Sequence, residues 1–317
     1  MSNIVYLFPG QGSQKVGMGQ ALCQRWPDAR RRFEEADRVV GASLSQLCFE
    51  GPADELTDTI NAQPALLAAG FAMYEAARQA GSPGPAWVAG HSLGHISALA
   101  AAGALQFGDA LRLVRERGRA MKVAALQHPG GMAAILKLDA EKLGLICRQA
   151  RDETGHYVGV ANDNAPDQIV ISGEMDALER ALQLAKEAGA KRVIPLSVSV
   201  AAHTPLMASA AEAMRHALES VEVRQPSVPA ISNVIALPIQ DPMQIKVDLI
   251  KQLTNPVRWT ASIETLSRLG ATHFVEVGPG NVLAGLVKRI LPNANAWSLD
   301  DPDGMDRLLA LSQPHAS

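Results

Sequence analysis

Aromatic side chains make up only 4 % of this 317-residue chain, and cysteine occurs three times. Cys23, Cys48 and Cys147 are odd in number and have no paired spacing. That speaks against a disulfide frame or a zinc site and for free thiols in a reducing cytoplasm. Charge of one sign is scarce too. The formal net charge is −3, without the basic excess of a dedicated nucleic-acid binder. No apolar run reaches the roughly 18–20 residues of a membrane span. The opening residues carry no basic leader and read as a first strand, not a signal peptide. Internal repeats and low-complexity segments are lacking as well.

What is present is a chain that is 47 % hydrophobic and rich in Ala, Leu, Val and Gly. Small side chains let helices lie close on a sheet, the usual palette of an α/β protein. The length suits one large domain or two unequal ones. Residues 3–8 read as a strand that stops at Pro9-Gly10, followed by the glycine-rich loop 10–14. Helical patterns follow at 17–26, 28–40 and 64–80, with Pro64 at a helix start. Residues 86–103 read strand, tight turn, helix, and 107–125 is helical. The middle then reads as a strand at 132–136, a helix at 139–153, strands at 157–161 and 168–172, a helix at 174–188 and a strand at 192–200. That β-α-β-β-α-β order is the ferredoxin-like split unit, inserted in a larger α/β region. The predicted division is 1–127 and 200–317 for the large domain and 128–199 for the small one. Helices at 205–220, 242–254, 259–269 and 281–291, and strands near 229–234 and 272–277, complete the pattern. The polar tail from about 310 reads as frayed.

Gly90-His91-Ser92-Leu93-Gly94 matches G-x-S-x-G, the nucleophile elbow, with a strand before it and a helix after it. A sharp strand-to-helix turn strains the serine backbone and exposes its hydroxyl above the sheet. The next amide, Leu93, sits at a helix N-terminus where it can stabilise an oxyanion. The plainer alternative is a capping serine in a glycine-rich loop.

A serine hydroxyl needs a base. His128, His156, His216, His273 and His315 fall in loops, on helix faces or in the tail, and His91 points elsewhere on a tight turn. His203 lies at a strand end, beside small residues and before Thr204-Pro205, well placed to face a cleft. The alternative is a structural loop histidine. No Asp or Glu stands out as a third triad member.

Several segments taken together resemble the malonyl-CoA:acyl-carrier-protein transacylases and the acyltransferase domains of polyketide synthases. They include Phe8-Pro9-Gly10-Gln11-Gly12-Ser13-Gln14, Gln63-Pro64-Ala65-Leu66-Leu67 and the elbow itself. Arg117-Gly118-Arg119-Ala120-Met121, Asn162 through Gly173, Val200-Ala201-Ala202-His203, Asn255-Pro256-Val257-Arg258-Trp259 and Glu276-Val277-Gly278-Pro279-Gly280 continue the match, in order, over residues 3–300. The resemblance implies a hydrolase-like α/β domain with a ferredoxin-like insertion. It implies Ser92 as nucleophile and His203 as base, with the histidine oriented by the backbone carbonyl of Gln252 and not by a carboxylate. It places oxyanion donors at the amides of Gln11 and Leu93. Arg117 would pair with the free carboxylate of a malonyl group, a bidentate match a guanidinium makes well, while Arg112, Arg115 and Arg119 form a solvated face. Gln63, Met121 and Asn162 would line the substrate site.

The implied reaction carries malonyl from malonyl-CoA, through an ester on Ser92, to the thiol of an acyl carrier protein. The coenzyme A thioester is a substrate, and no permanently bound cofactor or metal, nucleic acid or membrane is implied; a cytoplasmic monomer is. Lys122, Lys191, Arg192, Lys288 and Arg289 are candidate carrier-docking charges, with Arg112, Arg115 and Arg119. Two departures stand out. Residue 95 is His where this family commonly has Glu, and reads as a first-turn surface residue or a change at the cleft rim. Ala202 leaves space before His203, compatible with some methylmalonyl tolerance. Rival readings are an acyl hydrolase, an acyltransferase subunit of a malonate decarboxylase, and a non-catalytic carrier-protein binding module.

Overall fold

The computed structural model describes residues 3–312. Its strands, in chain order, are β1 (Ile4–Phe8), β2 (Trp87–Gly90), β3 (Gly130–Leu136), β4 (Val158–Ala165), β5 (Gln168–Glu174), β6 (Arg192–Pro195), β7 (Ala230–Ile231), β8 (Pro238–Ile239), β9 (Val257–Arg258), β10 (His273–Glu276) and β11 (Asn295–Ser298). They form a six-stranded sheet of order β11-β10-β1-β2-β7-β8 and a five-stranded sheet of order β6-β3-β5-β4-β9.

In the larger sheet β1 pairs in parallel with β2 and β10, β2 with β7, and β10 with β11; only β8 runs antiparallel. Every residue of β1 is buried, as expected of a central parallel strand covered on both faces. Its even-numbered side chains face the core built with helix Thr59–Gln79, and Val5 and Leu7 face the one built with helices Trp259–Arg268 and Val282–Ile290. The C-terminal ends of β1, β2 and β7 therefore open on one crevice, where sheets of this kind bind ligands.

The smaller sheet contains the antiparallel β3, β4, β5 and β6 in the order of the ferredoxin-like unit, with helices Ala140–Thr154 and Met175–Glu187 packed on it. β9 adds to its edge in parallel with β4. The two-residue β9 follows the Asn255-Pro256 segment and leads directly into helix Trp259–Arg268 of the larger unit, so it clamps the sheets together. Among the described residues no helix is long and apolar enough to cross a membrane.

Two local expectations are corrected. The helix expected to begin at Pro64 begins at Thr59, because the Asp58 carboxylate accepts the Ile60 amide at 3.0 Å and caps it there. Pro64 sits inside the helix and leaves one carbonyl in the first turns without its donor. The extra turn carries Thr59 and Gln63 toward the crevice. The strand expected over 192–200 ends at Pro195; beyond it the chain is irregular. Leu196, Val198, Val200 and Ala202 then line the crevice.

Candidate active site

β2 ends at Gly90 and the next helix starts at Gly94, so Ser92 occupies a three-residue turn with φ 52°, the left-handed region. A Cβ on Gly90 would stand 1.9 Å from the Gly94 carbonyl oxygen, and one on Gly94 2.0 Å from that of Phe8. Only glycine fits at either position. Asn233, just past β7, holds the turn from the side. Its Oδ1 accepts the Ser92 amide at 2.9 Å and its Nδ2 donates to the Gly90 carbonyl at 2.8 Å. The strained backbone of Ser92 is thus fixed by a neighbouring strand.

His203 also has positive φ, 61°. Its Nε2 lies 2.8 Å from Ser92 Oγ and its Nδ1 2.8 Å from the Gln252 carbonyl oxygen. A carbonyl can only accept, so Nδ1 carries the proton in the neutral ring and Nε2 presents its lone pair to the serine hydroxyl. The ring is buried. Burial first, and the nearby Arg117 guanidinium second, lower the His203 pKa from 6.5 to about 3. The imidazole is therefore neutral near pH 7 and ready to accept a proton.

Arg117 comes from helix Phe107–Gln127, which approaches helix Thr59–Gln79 closely at Gly118; a Cβ there would stand 2.7 Å from the Thr59 carbonyl oxygen. The buried guanidinium donates from Nη1 to Gln63 Oε1 at 2.8 Å, and from Nη2 to Ser92 Oγ at 3.1 Å and to Gln252 Oε1 at 3.2 Å. All these acceptors are neutral. Burial lowers the Arg117 pKa to about 10, leaving it cationic at neutral pH. Gln63 Nε2 donates to Thr59 Oγ1 at 3.0 Å and lies 3.6 Å from Met121 Sδ; Thr59 Oγ1 donates to Gln11 Oε1 at 2.9 Å. This relay ties the arginine to the glycine-rich loop after β1. The backbone amides of Gln11 and Leu93 donate to no group of the chain among the described residues.

Ser92, His203, Arg117, Gln11, Leu93, Met121 and Asn162 all line one cavity of about 180 Å³ between the two sheets, and Gln63 and Gln252 stand immediately behind it. Gln11, Val198 and Val200 also border a second cavity of about 980 Å³. An activated hydroxyl, unengaged amides and a buried cation around a small cavity can form and hold an ester of a short anionic acyl group.

Sequence reasoning missed Asn233, Thr59 and the side chain of Gln252. Gln252 Nε2 donates to the Ser92 carbonyl and to Asn233 Oδ1, each at 3.0 Å, so one residue serves the serine, the histidine and the arginine together. A polar pair, Ser232-Asn233, just after a short apolar strand was the available signal. His91 does turn away from the reacting atoms, with Nε2 2.7 Å from Asn164 Oδ1 and its ring edge-on to Trp259. Arg112 and Arg119 are exposed as expected, but Arg115 is half-buried and donates to the Val40 carbonyl. His128, His156 and His216 are exposed, His273 packs on Trp297, and His315 lies outside the described residues. The surface reading of His95 is overturned. The residue is fully buried in the first turn of the elbow helix, with Nε2 3.2 Å from Asp248 Oδ2. There the His95 side chain meets Asp248 of helix Pro242–Lys251 and not solvent.

A parallel sheet with a serine elbow, a histidine oriented by a carbonyl and an inserted ferredoxin-like unit defines an acyl-transferring α/β protein. The acyl transferase domain family matches residues 5–299, and the chain belongs to that family. The malonyl CoA-acyl carrier protein transacylase of Bacillus subtilis (strain 168) is 48 % identical over 306 residues, 96 % of this chain and 96 % of that protein. The Escherichia coli (strain K12) protein of the same name is 42 % identical over 311 residues, covering 98 % of this chain and 100 % of that protein. The solved transacylase of Coxiella burnetii superposes with a TM-score of 0.94 at 38 % identity, covering 98 % of this chain and 97 % of that one. A malonyl-transacylase solved in complex with its type II polyketide acyl-carrier protein superposes equally well, TM-score 0.94 at 40 % identity, over 98 % of this chain and 100 % of that one.

Proposed function

We propose that this protein transfers a malonyl group from coenzyme A to the phosphopantetheine thiol of an acyl carrier protein through an ester on Ser92. The observation that carries the reading is Arg117: a buried cation with only neutral partners, 3.1 Å from the hydroxyl that would bear the acyl group. A simple acyl chain would leave it without a counter-ion; a malonyl carboxylate supplies one with bidentate geometry. The names of the relatives support the same donor and acceptor.

In the first half-reaction Ser92 Oγ attacks the thioester carbonyl and His203 Nε2 takes its proton. The oxygen of the tetrahedral intermediate accepts from the Gln11 and Leu93 amides. As the C–S bond breaks, the coenzyme A sulfur leaves with the proton returned by His203. In the second half-reaction His203 takes the proton of the carrier thiol, whose sulfur attacks the Ser92 ester. The Ser92 oxygen then leaves with that proton. The Gln252 carbonyl stabilises the imidazolium formed in each step. The second cavity beside Gln11, Val198 and Val200 gives room for a pantetheine arm, which favours a thiol acceptor over water. The protein works as a cytoplasmic monomer with no permanently bound cofactor.

Malonyl-CoA mixed with the protein, followed by intact-mass measurement, should add one malonyl group, absent in Ser92→Ala and discharged by holo-carrier protein. An adduct persisting in Ser92→Ala, or one released only to water, refutes the reading.

A further inference from the structure

Behind the site, outside the cavity, lies a second buried set of side chains that the transfer chemistry does not use. His95 is 0 % exposed and Asp248 6 %. Asp248 Oδ1 accepts from the Ser232 hydroxyl, and Asp248 Oδ2 meets His95 Nε2 at 3.2 Å. That approach is oblique, and neither His95 ring nitrogen nor Asp248 Oδ2 has another partner among the described residues. In so dry a place two polar groups without alternatives are held to each other.

Each of the three residues adjoins a group that holds the reacting atoms. The His95 amide donates to the Ser92 carbonyl at 3.1 Å, and that carbonyl also accepts from Gln252 Nε2. The Asp248 carbonyl accepts the Gln252 amide at 2.9 Å, one helical turn on. Ser232 precedes Asn233, which grips the Ser92 and Gly90 backbone, and Ser232 Oγ accepts the Val234 and Ile235 amides that shape that turn. The elbow helix, the helix ending at Gln252 and the turn after β7 come from separate parts of the chain, and Asp248 joins all three.

We infer that His95 and Asp248 form a positioning pair that sets the place of Gln252 and thereby the reactivity of Ser92 and the grip of Arg117. The kinetic side of this inference rests on the proposed transfer reaction. If the pair is lost, the C-terminus of helix Pro242–Lys251 is released from the elbow helix. Gln252 then shifts, and with it the carbonyl that orients His203 and the amide that holds Arg117. Misplacement of reacting groups by about 1 Å costs up to roughly a hundredfold in rate.

The test compares His95→Ala, His95→Gln, Asp248→Ala and the double alanine variant, each well below its melting midpoint. The readouts are the rate at which a fluorophosphonate labels Ser92, and kcat and KM for malonyl transfer. Labelling needs the elbow and His203 but no acyl donor. Wild-type protein that labels but forms no malonyl ester would sink the transfer reading while leaving this one measurable. Each single alanine variant should label about tenfold or more slowly, with kcat lowered and KM for malonyl-CoA raised. The double variant should be no slower than the slower single one. His95→Gln, whose amide stands where Nε2 stood, should label at close to the wild-type rate. Wild-type labelling in folded His95→Ala, or losses that multiply in the double variant, overturns the pair. If His95→Ala does not fold, His95→Leu replaces it, and equal rates for the Leu and Gln variants overturn the pair.

Discussion

Arg117 Nη2 stands 3.1 Å from Ser92 Oγ, and its guanidinium forms no ion pair with a carboxylate among the described residues. A charge is thus held in reserve beside the Ser92 hydroxyl, anchored by Gln63 and Gln252 so that it would not have to be ordered on binding a ligand. On the proposed reading, this arrangement would separate acyl groups by what they carry at the far end.

Arg117→Ala should lower kcat/KM for malonyl-CoA by about a hundredfold, the worth of a charged bidentate pair. Acetyl-CoA, with nothing to offer the cation, should lose little or gain. Parallel rates with the two donors check this, and equal losses would reduce Arg117 to a structural role.

His203 offers a test by pH. Its pKa is about 3, against 6.5 for an ordinary histidine. Between those values the native ring stays neutral while the unfolded ring binds a proton. The stabilisation is therefore complete above pH 6.5 and is lost as pH falls toward 3. The acid limb of kcat/KM should lie well below pH 6. His203→Gln should lose the corresponding part of the acid destabilisation, read from melting midpoints between pH 7 and 4, and should slow acylation by roughly 10²–10⁴. A kinetic limb near 6.5 would mean that the native ring is not desolvated.

The elbow glycines admit no side chain. Gly94→Ala forces a Cβ to within 2.0 Å of the Phe8 carbonyl oxygen, which is central-strand backbone and cannot move aside. The expected cost is about 3 kcal/mol or more of stability, with loss of Ser92 labelling. Chemical denaturation measures it, and a stable, active variant would contradict the packing described.

Some of the candidate carrier-docking charges are already engaged within the protein. Lys122 is paired with Asp58, and Arg289 is held by Asp167 and Gln168. Lys288 is exposed on helix Val282–Ile290, whose Val282, Leu283 and Leu286 line the cavity, and it has no carboxylate partner among the described residues. Lys288→Glu should weaken apparent affinity for the carrier most at low salt, since a Debye length of about 8 Å screens rim charges at physiological ionic strength. Ser92 acylation should be unchanged. A small pantetheine thiol should respond to neither salt nor reversal; if it responds as the carrier does, docking is not electrostatic.

The order of elements was legible because long amphipathic helices and apolar strands mark themselves by periodicity, and the elbow marks itself by glycines that no other residue can replace. Short edge strands were not legible. β9 carries only two residues, too few for an alternation, and its pairing partner β4 lies far away in sequence. The start of helix Thr59–Gln79 was misplaced because a proline is a common first residue, whereas the Asp58 cap lies six residues before Pro64.

By local spacing alone the sequence determined the strand-turn-helix that exposes Ser92 and the ferredoxin-like order of the smaller sheet, whereas the other site residues came from the family resemblance. Only the tertiary structure decided that Gln252 acts with its side chain as well as its carbonyl, that Asn233 fixes the elbow, and that His95 is buried against Asp248. Those roles depend on which surfaces meet when β7 and helix Pro242–Lys251 pack beside β2. Periodicity along one segment gives the face that is buried, and contact between distant segments gives what that face is buried against.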